Sequence, residues 1–231
     1  MFDIPDIVIF DLDDTLYEYE RAHKSGQNSL VQFLSTHLRT PKPEIEEMLT
    51  VSRSTVKQRL GNVSSSHSRL LYIRELLNNY SFQMHSTFAI ECEQVFWRAY
   101  LEQTIMLPGV DELISSLRLA GTKLVLVTDL STNIQLRKLS WLGLDKTFEL
   151  IITSEEAGGD KTTGLPEMLL RKHLNPTARM WSIGDQDFDH IFPDESIFFK
   201  KVSFGKLRTI SENSHEFSDY LDLIRKLKFP F

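Results

Sequence analysis

Apolar residues cluster in five short runs, one near the start of the chain and four in its second half. These runs are rich in Val, Ile, Leu and Phe, and each is predicted to form a β-strand. They cover residues 7–10, 123–128, 148–153, 179–183 and 196–203. Apolar runs of this length are typical of strands that are covered on both faces of a sheet.

Amphipathic segments with helical periodicity follow most of these strands. They cover residues 110–119, 133–142, 166–174 and 217–227. Gly121, Gly143 and the Asn175-Pro176 pair supply stop signals after the first three segments. Strands that alternate with helices in this way indicate an α/β fold, with a Rossmann-like, doubly wound parallel sheet.

The stretch between the first and second strands has a different pattern. It contains no convincing strand, and helical periodicity runs through most of it. Four helices are predicted there, at residues 22–38, 43–60, 68–79 and 87–105. The sequence therefore predicts an all-helical domain at residues 17–106, inserted into a core domain made of residues 1–16 and 107–231.

Composition narrows the class of protein. The chain has 231 residues, of which 41% are hydrophobic and 25% charged, so a folded globular core is expected. The net charge of -6 argues against a protein that binds nucleic acid through phosphate contacts. No apolar run is long enough to span a membrane, and no basic segment precedes the first apolar run, so a cytoplasmic protein without a signal peptide is expected. Cys92 is the only cysteine, which excludes an internal disulfide, and we expect it on a buried helix face.

Polar residues that could take part in catalysis or binding lie at or after the ends of four of the predicted strands. They are Asp11 and Asp13 after the first, Thr128 and Asp129 at the end of the second, Lys161 after the third, and Asp185, Asp187 and Asp189 after the fourth. In an open parallel sheet, ligands bind outside the carboxyl ends of the strands. The four groups are therefore predicted to meet in one crevice, although they are far apart in sequence.

Together these residues resemble the motifs of the haloacid dehalogenase superfamily. The first motif, D-x-D-x-T, matches Asp11–Thr15, and Thr128 and Lys161 match the second and third. Gly184–Asp189 is similar to the acidic fourth motif. The resemblance covers about residues 1–16 and 107–190, and the helical insert is similar to the type-1 cap of the family.

The resemblance implies a role for each residue in phosphoryl transfer, which needs a nucleophile, charge neutralisation and a proton for the leaving oxygen. Asp11 would attack phosphorus and form an aspartyl-phosphate, and Asp13 would act as general acid and base. Thr128 and the backbone of Asp129 would bind the phosphoryl oxygens. Lys161 would supply positive charge.

The resemblance also implies a Mg2+ ion, because the motifs supply the oxygen ligands that this cation prefers. By the family pattern, the ligands are the carboxylate of Asp11, the backbone carbonyl of Asp13 and Asp185. Asp189 would support the ligands of the metal or Lys161.

The chain departs from the family pattern at three places. Asp129 stands where many relatives have Asn, and residues 162–165 separate Lys161 from the proline that starts the next helix. Residues 190–195 are too few for a full helix before the next strand. This last departure puts the end of the sheet, and the support from Asp187 and Asp189, in question.

The leading hypothesis is a Mg2+-dependent phosphatase that acts on a small phosphorylated metabolite, such as a sugar phosphate or a nucleotide. A dehalogenase uses the same nucleophile without a metal, but its pattern lacks the second aspartate, so Asp13 argues against it. A phosphomutase of the β-phosphoglucomutase type stays open, because His23 and Lys24 follow the first motif. A phosphonate hydrolase, and a binding or regulatory protein with weak catalysis, are further alternatives.

The predicted cap offers one candidate for substrate recognition. The polar loop at residues 61–69 could contact the substrate, with Arg59, His67 and Arg69 as donors. An ordinary polar loop between two helices fits the same residues equally well. The sequence identifies neither the natural substrate nor the oligomeric state.

Overall fold

The computed structural model describes residues 2–79, 86–175, 177–192, 194 and 196–227. The chain divides into two compact units. The first, called the core unit, contains residues 1–18 and 105–231. The second, called the helical unit, contains residues 19–104.

The core unit is built on a seven-stranded sheet with the order β3-β2-β1-β4-β5-β7-β6. The strands are β1 Ile7–Phe10, β2 Lys123–Thr128, β3 Leu150–Thr153, β4 Met180–Gly184, β5 Ser196–Lys201, β6 Arg208–Ser211 and β7 Ser214–Phe217. All neighbouring pairs are parallel except β6 and β7. The strand order reverses between β1 and β4, which is where ligands bind in folds of this kind. The predicted Rossmann-like parallel sheet is confirmed.

Four helices form the helical unit: α1 Tyr19–Leu38, α2 Lys42–Leu60, α3 Arg69–Asn79 and α4 Ser86–Glu102. A 3-10 helix at Ser64–His67 lies between α2 and α3. All four predicted helices are present, and no strand occurs among the described residues of this unit. Cys92 is fully buried in α4 as expected. Burial, helped by the nearby Glu91, raises the pKa of its thiol to about 12, which disfavours the nucleophilic thiolate.

The remaining helices belong to the core unit: α5 Val110–Leu119, α6 Thr132–Trp141, α7 Ser154–Ala157, α8 Leu165–Arg171 and α9 Tyr220–Arg225. Two further 3-10 helices cover Lys161–Thr163 and Asp187–Asp189. The predicted helix at residues 166–174 ends earlier than expected, and Pro176 of its predicted stop signal lies outside the described residues. Among the described residues, every helix is too short or too polar to span a bilayer.

The prediction for the C-terminal part was partly wrong. Phe217 ends β7, and the helix expected at residues 217–227 covers only Tyr220–Arg225. The hairpin of β6 and β7 was not predicted, because all four residues of β6 are exposed and polar residues dominate both strands. Edge strands of this kind carry little of the apolar pattern that identifies a central strand.

β1 lies in the interior of the sheet, between β2 and β4. All four of its residues are buried, and its alternate residues Ile7 and Ile9 pack in one apolar cluster with Val125 and Val127 of β2. Because both faces and both edges of β1 are covered, the residue that follows it leaves the sheet from a rigid position.

Candidate active site

Asp11 follows β1 directly and is held from three sides. Its backbone N–H donates to the carbonyl of Ile183 on β4, at 2.9 Å. Its Oδ1 lies 2.5 Å from Nζ of Lys161, and its Oδ2 accepts a hydrogen bond of 3.0 Å from Thr15 Oγ1. The side chain is buried, and burial raises the pKa of its carboxyl group, while Lys161 opposes that shift.

Lys161 joins the first and fourth motifs. Its ammonium group contacts the carboxylates of both Asp11 and Asp189. Burial alone would lower the pKa of Lys161, but the facing carboxylates of Asp11, Asp189 and Asp129 outweigh burial and raise it. The three carboxylates thus favour the charged form of Lys161, and together they carry more charge than its single ammonium group can neutralise.

Three carboxylates converge beside this ion pair. Oxygen atoms of Asp11, Asp185 and Asp189 all lie within 4.8 Å of one another. Asp185 follows β4, and burial raises the pKa of its carboxyl group to about 6, against a hydrogen bond from Gln186 that lowers it. Clustered carboxylate oxygens with an excess of negative charge fit a hard divalent cation such as Mg2+. The carbonyl of Asp13, which the family pattern implies as a further ligand, stays a prediction.

The side chain of Asp13 is held by two residues that the sequence reasoning missed. Nζ of Lys138 lies 2.7 Å and 2.8 Å from its two carboxylate oxygens, and the hydroxyl group of Tyr17 donates to Oδ1. The Lys138 side chain is fully buried, whereas that of Asp13 is 24% exposed. This arrangement fixes the direction of the Asp13 carboxylate.

The signal for Lys138 lies in α6. Gln135 and Lys138 are three residues apart, share one face of the helix and are both fully buried, while Leu136 and Trp141 are exposed. The buried face of α6 thus carries two polar side chains beside Leu139, which is unusual for a helix. In the sequence, the signal for Lys138 is this polar pair at helical spacing, shortly after the second motif.

Thr128 is the last residue of β2 and Asp129 follows it, and both are hydrogen-bonded to their neighbours. Gln135 Nε2 donates to the hydroxyl group of Thr128 and to the carbonyl of Asp129, each at 2.6 Å. The carboxylate of Asp129 accepts a hydrogen bond of 3.0 Å from the backbone N–H of Lys161. Asp129 therefore ties the loop after β2 to the segment that carries Lys161.

The short segment after Asp189 does not displace that residue. Asp189 is buried, and its Oδ2 accepts a hydrogen bond of 2.9 Å from the backbone of Gln186. Ile191 and Phe192 enter the apolar cluster, which anchors the turn in place of a helix. Asp187 lies at the surface beside Lys200, whereas Pro193 and Glu195 lie outside the described residues.

Gly184 lies where β4 meets the fourth motif, and the structure leaves no room there for a side chain. A Cβ added there would lie 2.2 Å from the Cβ of Asp189 and 2.4 Å from its Oδ2. We expect Gly184→Ala to displace Asp189 from Lys161 and to lower the free energy of unfolding by roughly 1–3 kcal/mol. Urea denaturation measures this change, and an unaltered midpoint would contradict the close packing of Asp189 on Gly184.

Comparison with known proteins identifies the family. The model of the haloacid dehalogenase-like hydrolases matches residues 8–192. The chain is 32% identical over 172 residues to a ribulose-1,5-bisphosphate 5-phosphatase of Halopiger xanaduensis, which covers 74% of this chain and 72% of that protein. It is also 25% identical, over an alignment of 239 residues, to a glyceraldehyde 3-phosphate phosphatase of Methanocaldococcus jannaschii, with 96% and 97% of the two chains covered.

A solved structure shares the fold. A haloacid dehalogenase-family hydrolase of Bacillus subtilis, bound to magnesium, matches with a TM-score of 0.65 at 18% identity, over 96% of this chain and 97% of that one. At such low identity the likeness concerns the fold alone. The family match spans most of the chain. The chain belongs to the haloacid dehalogenase-like hydrolase family, and it is an enzyme of that family whose curated relatives are phosphatases.

Proposed function

We propose that this hydrolase is a Mg2+-dependent phosphatase that acts on a small phosphorylated metabolite. The observation that carries the proposal is the cluster of Asp11, Lys161, Asp185 and Asp189 at the carboxyl ends of β1 and β4. It combines a buried carboxylate nucleophile, a fixed cation and oxygen donors for a metal. The names of the two curated relatives support a phosphorylated metabolite as substrate.

Asp11 is the proposed nucleophile. One of its carboxylate oxygens forms a bond to phosphorus while the bond from phosphorus to the leaving oxygen breaks, which leaves an aspartyl-phosphate. Lys161 directs the carboxylate through its contact at 2.5 Å and offsets charge on the phosphoryl group. The hydrogen bond from Thr15 orients the second carboxylate oxygen. Thr128 and the backbone of Asp129 are the proposed donors to the phosphoryl oxygens.

Asp13 is the proposed general acid and base. It donates a proton to the leaving oxygen, and then takes a proton from the water that cleaves the aspartyl-phosphate at phosphorus. Lys138 and Tyr17 are positioning residues, because they act through Asp13 and set the direction of its carboxylate. Their contacts replace the conformational freedom of an exposed aspartate with a single orientation, which favours proton transfer.

The Mg2+ ion would be held by Asp11 and Asp185, together with the carbonyl of Asp13, and Asp189 would support it through Lys161. When bound, it would supply positive charge to the phosphoryl oxygens. The second aspartate of the motif favours this phosphatase over the dehalogenase alternative. A small metabolite also fits the net charge of -6 better than a nucleic acid does.

Hydrolysis of p-nitrophenyl phosphate tests the proposal. We expect turnover with Mg2+, its loss in excess EDTA, and its recovery when Mg2+ is restored. A panel of sugar phosphates and nucleotides then identifies the natural class of substrate. Absence of turnover on every phosphoester, with Mg2+ present and the protein folded, would refute the proposed function.

Binding of Mg2+ can also be measured without turnover. Because a ligand that binds only the folded state stabilises it, Mg2+ is expected to raise the Tm of the protein, with about 2.7 kcal/mol gained at 100 times Kd. Asp185→Asn should remove most of this shift. Asp187→Asn is the matched control, because Asp187 belongs to the same motif but has a 90% exposed side chain outside the cluster. An equal shift in both variants would exclude Asp185 as a ligand.

A further inference from the structure

The helical unit contains a cavity of about 70 Å³ that the proposed chemistry does not use. Its lining combines apolar side chains with His23, Arg53, Arg69 and Tyr72. Among the described residues that line it, none carries a carboxylate. Two guanidinium groups without an acidic side chain in this lining give the cavity a positive potential, which favours an anion.

Arg69 is the central feature of this cavity. Only 8% of the residue is exposed, although a charged side chain is rarely buried without an ionic partner. Its Nη1 donates to the carbonyl of His67 at 2.9 Å, and its Nη2 to the hydroxyl group of Tyr19 at 3.1 Å. Both acceptors are neutral, and among the described residues no carboxylate lies within 4.0 Å of Arg69. Its Nε is buried without a hydrogen-bond partner.

The aromatic rings and the histidine that surround Arg69 do not neutralise its charge either. The guanidinium carbon lies 5.0 Å from the ring centre of Phe96 and 5.6 Å from that of Tyr72. These contacts favour a cation but do not cancel its charge. Nδ1 of His23 is also buried without a partner. Burial, together with Arg69 and Arg53, lowers the pKa of His23 to about 4, so this ring adds donors and acceptors rather than charge.

We propose that this cavity binds a phosphate group of a ligand, with Arg69 at its base and Arg53 at its mouth. A phosphate would accept hydrogen bonds from the unused Nε of Arg69 and from Arg53, and would neutralise a buried cation. Two sources share this chemistry: a phosphate ester of a small metabolite, and free phosphate. Neither source requires the proposed phosphatase activity.

Nuclear magnetic resonance of the full-length protein tests the proposal directly. The Nε–H signal of Arg69 and the ring signals of His23 are followed in the Asp11→Asn variant, which prevents turnover. The probes are inorganic phosphate, a sugar monophosphate and a sugar bisphosphate. We expect at least one probe to shift both sets of signals in a saturable manner. Shifts with inorganic phosphate indicate free phosphate, and shifts with a sugar phosphate alone indicate a phosphate ester.

Two substitutions and one control complete the experiment. Arg53→Gln and Arg69→Gln should each weaken binding at least about tenfold, as expected for the loss of a charge-assisted hydrogen bond. For Arg69→Gln, the His23 signals report binding. Arg74→Gln is the control, because Arg74 is exposed on the same helix as Arg69 and lies outside the cavity lining.

Arg53 is exposed, so its substitution carries little risk to folding and keeps the test valid if Arg69→Gln does not fold. The proposal is overturned if no probe shifts the signals of Arg69 or His23, or if Arg53→Gln binds as well as Arg74→Gln. Because the readout is binding, it is independent of whether p-nitrophenyl phosphate is hydrolysed. Failure of the proposed phosphatase activity and failure of the cavity to bind phosphate are therefore separate results.

Discussion

The Asp11→Asn variant is expected to hydrolyse p-nitrophenyl phosphate at least about 10⁴-fold more slowly than the wild-type protein, since removing a nucleophile costs factors of this order or more. An amide oxygen does not attack phosphorus as a carboxylate does, so the aspartyl-phosphate cannot form. Asn occupies the volume of Asp, and it can still accept the hydrogen bond from Thr15 Oγ1. The loss should therefore appear in kcat, with the fold intact.

Asp14→Asn is the matched control for this variant. Asp14 belongs to the same motif, but it is exposed and lies outside the group of carboxylates around Asp11. Steady-state assays at saturating Mg2+ should show activity within about threefold of the wild type, as expected for a surface substitution. If Asp11→Asn retained a tenth of the wild-type kcat, Asp11 would not be the nucleophile.

The Asp13→Ala variant is expected to be destabilised by about 3–5 kcal/mol, which is a large share of the stability of a typical domain. The Lys138 ammonium has no solvent exposure, and the substitution removes the carboxylate that contacts it at 2.7 Å and 2.8 Å. A buried charge that loses its counter-charge is much more costly than a lost surface ion pair. Urea denaturation followed by circular dichroism measures the change.

A second substitution separates this effect from a general loss of packing. Lys138→Met in the Asp13→Ala background removes the buried charge, so we expect it to restore at least about 1 kcal/mol of the lost stability. Asp187→Ala, which breaks the exposed pair of Asp187 with Lys200, should change stability by less than about 1 kcal/mol. If the double variant were less stable than Asp13→Ala, the buried charge would not be the cause.

The sequence determined the class of fold and the chemistry at the strand ends. Its apolar runs predict β1 to β5, because buried parallel strands need continuous apolar residues, and helical periodicity predicts α1 to α4. Asp11 and Asp185 directly follow β1 and β4, which the pattern identifies, so the topology of a parallel sheet brings them to one edge, and the segment after β3 and α7 brings Lys161 to them. The hairpin of β6 and β7 escaped prediction, because an exposed edge needs little apolar pattern.

Only the tertiary structure decided which polar side chains are buried and which residues they contact. Lys138 and Arg69 are ordinary basic residues of helices in the sequence, and apart from the spacing of Gln135 and Lys138 nothing local distinguishes them from the exposed Arg74. The fold places Lys138 against the Asp13 carboxylate, but Arg69 meets only neutral acceptors within the described part of the chain. Both facts depend on burial by residues distant in sequence, because the cost of a buried charge is set by the whole surrounding structure.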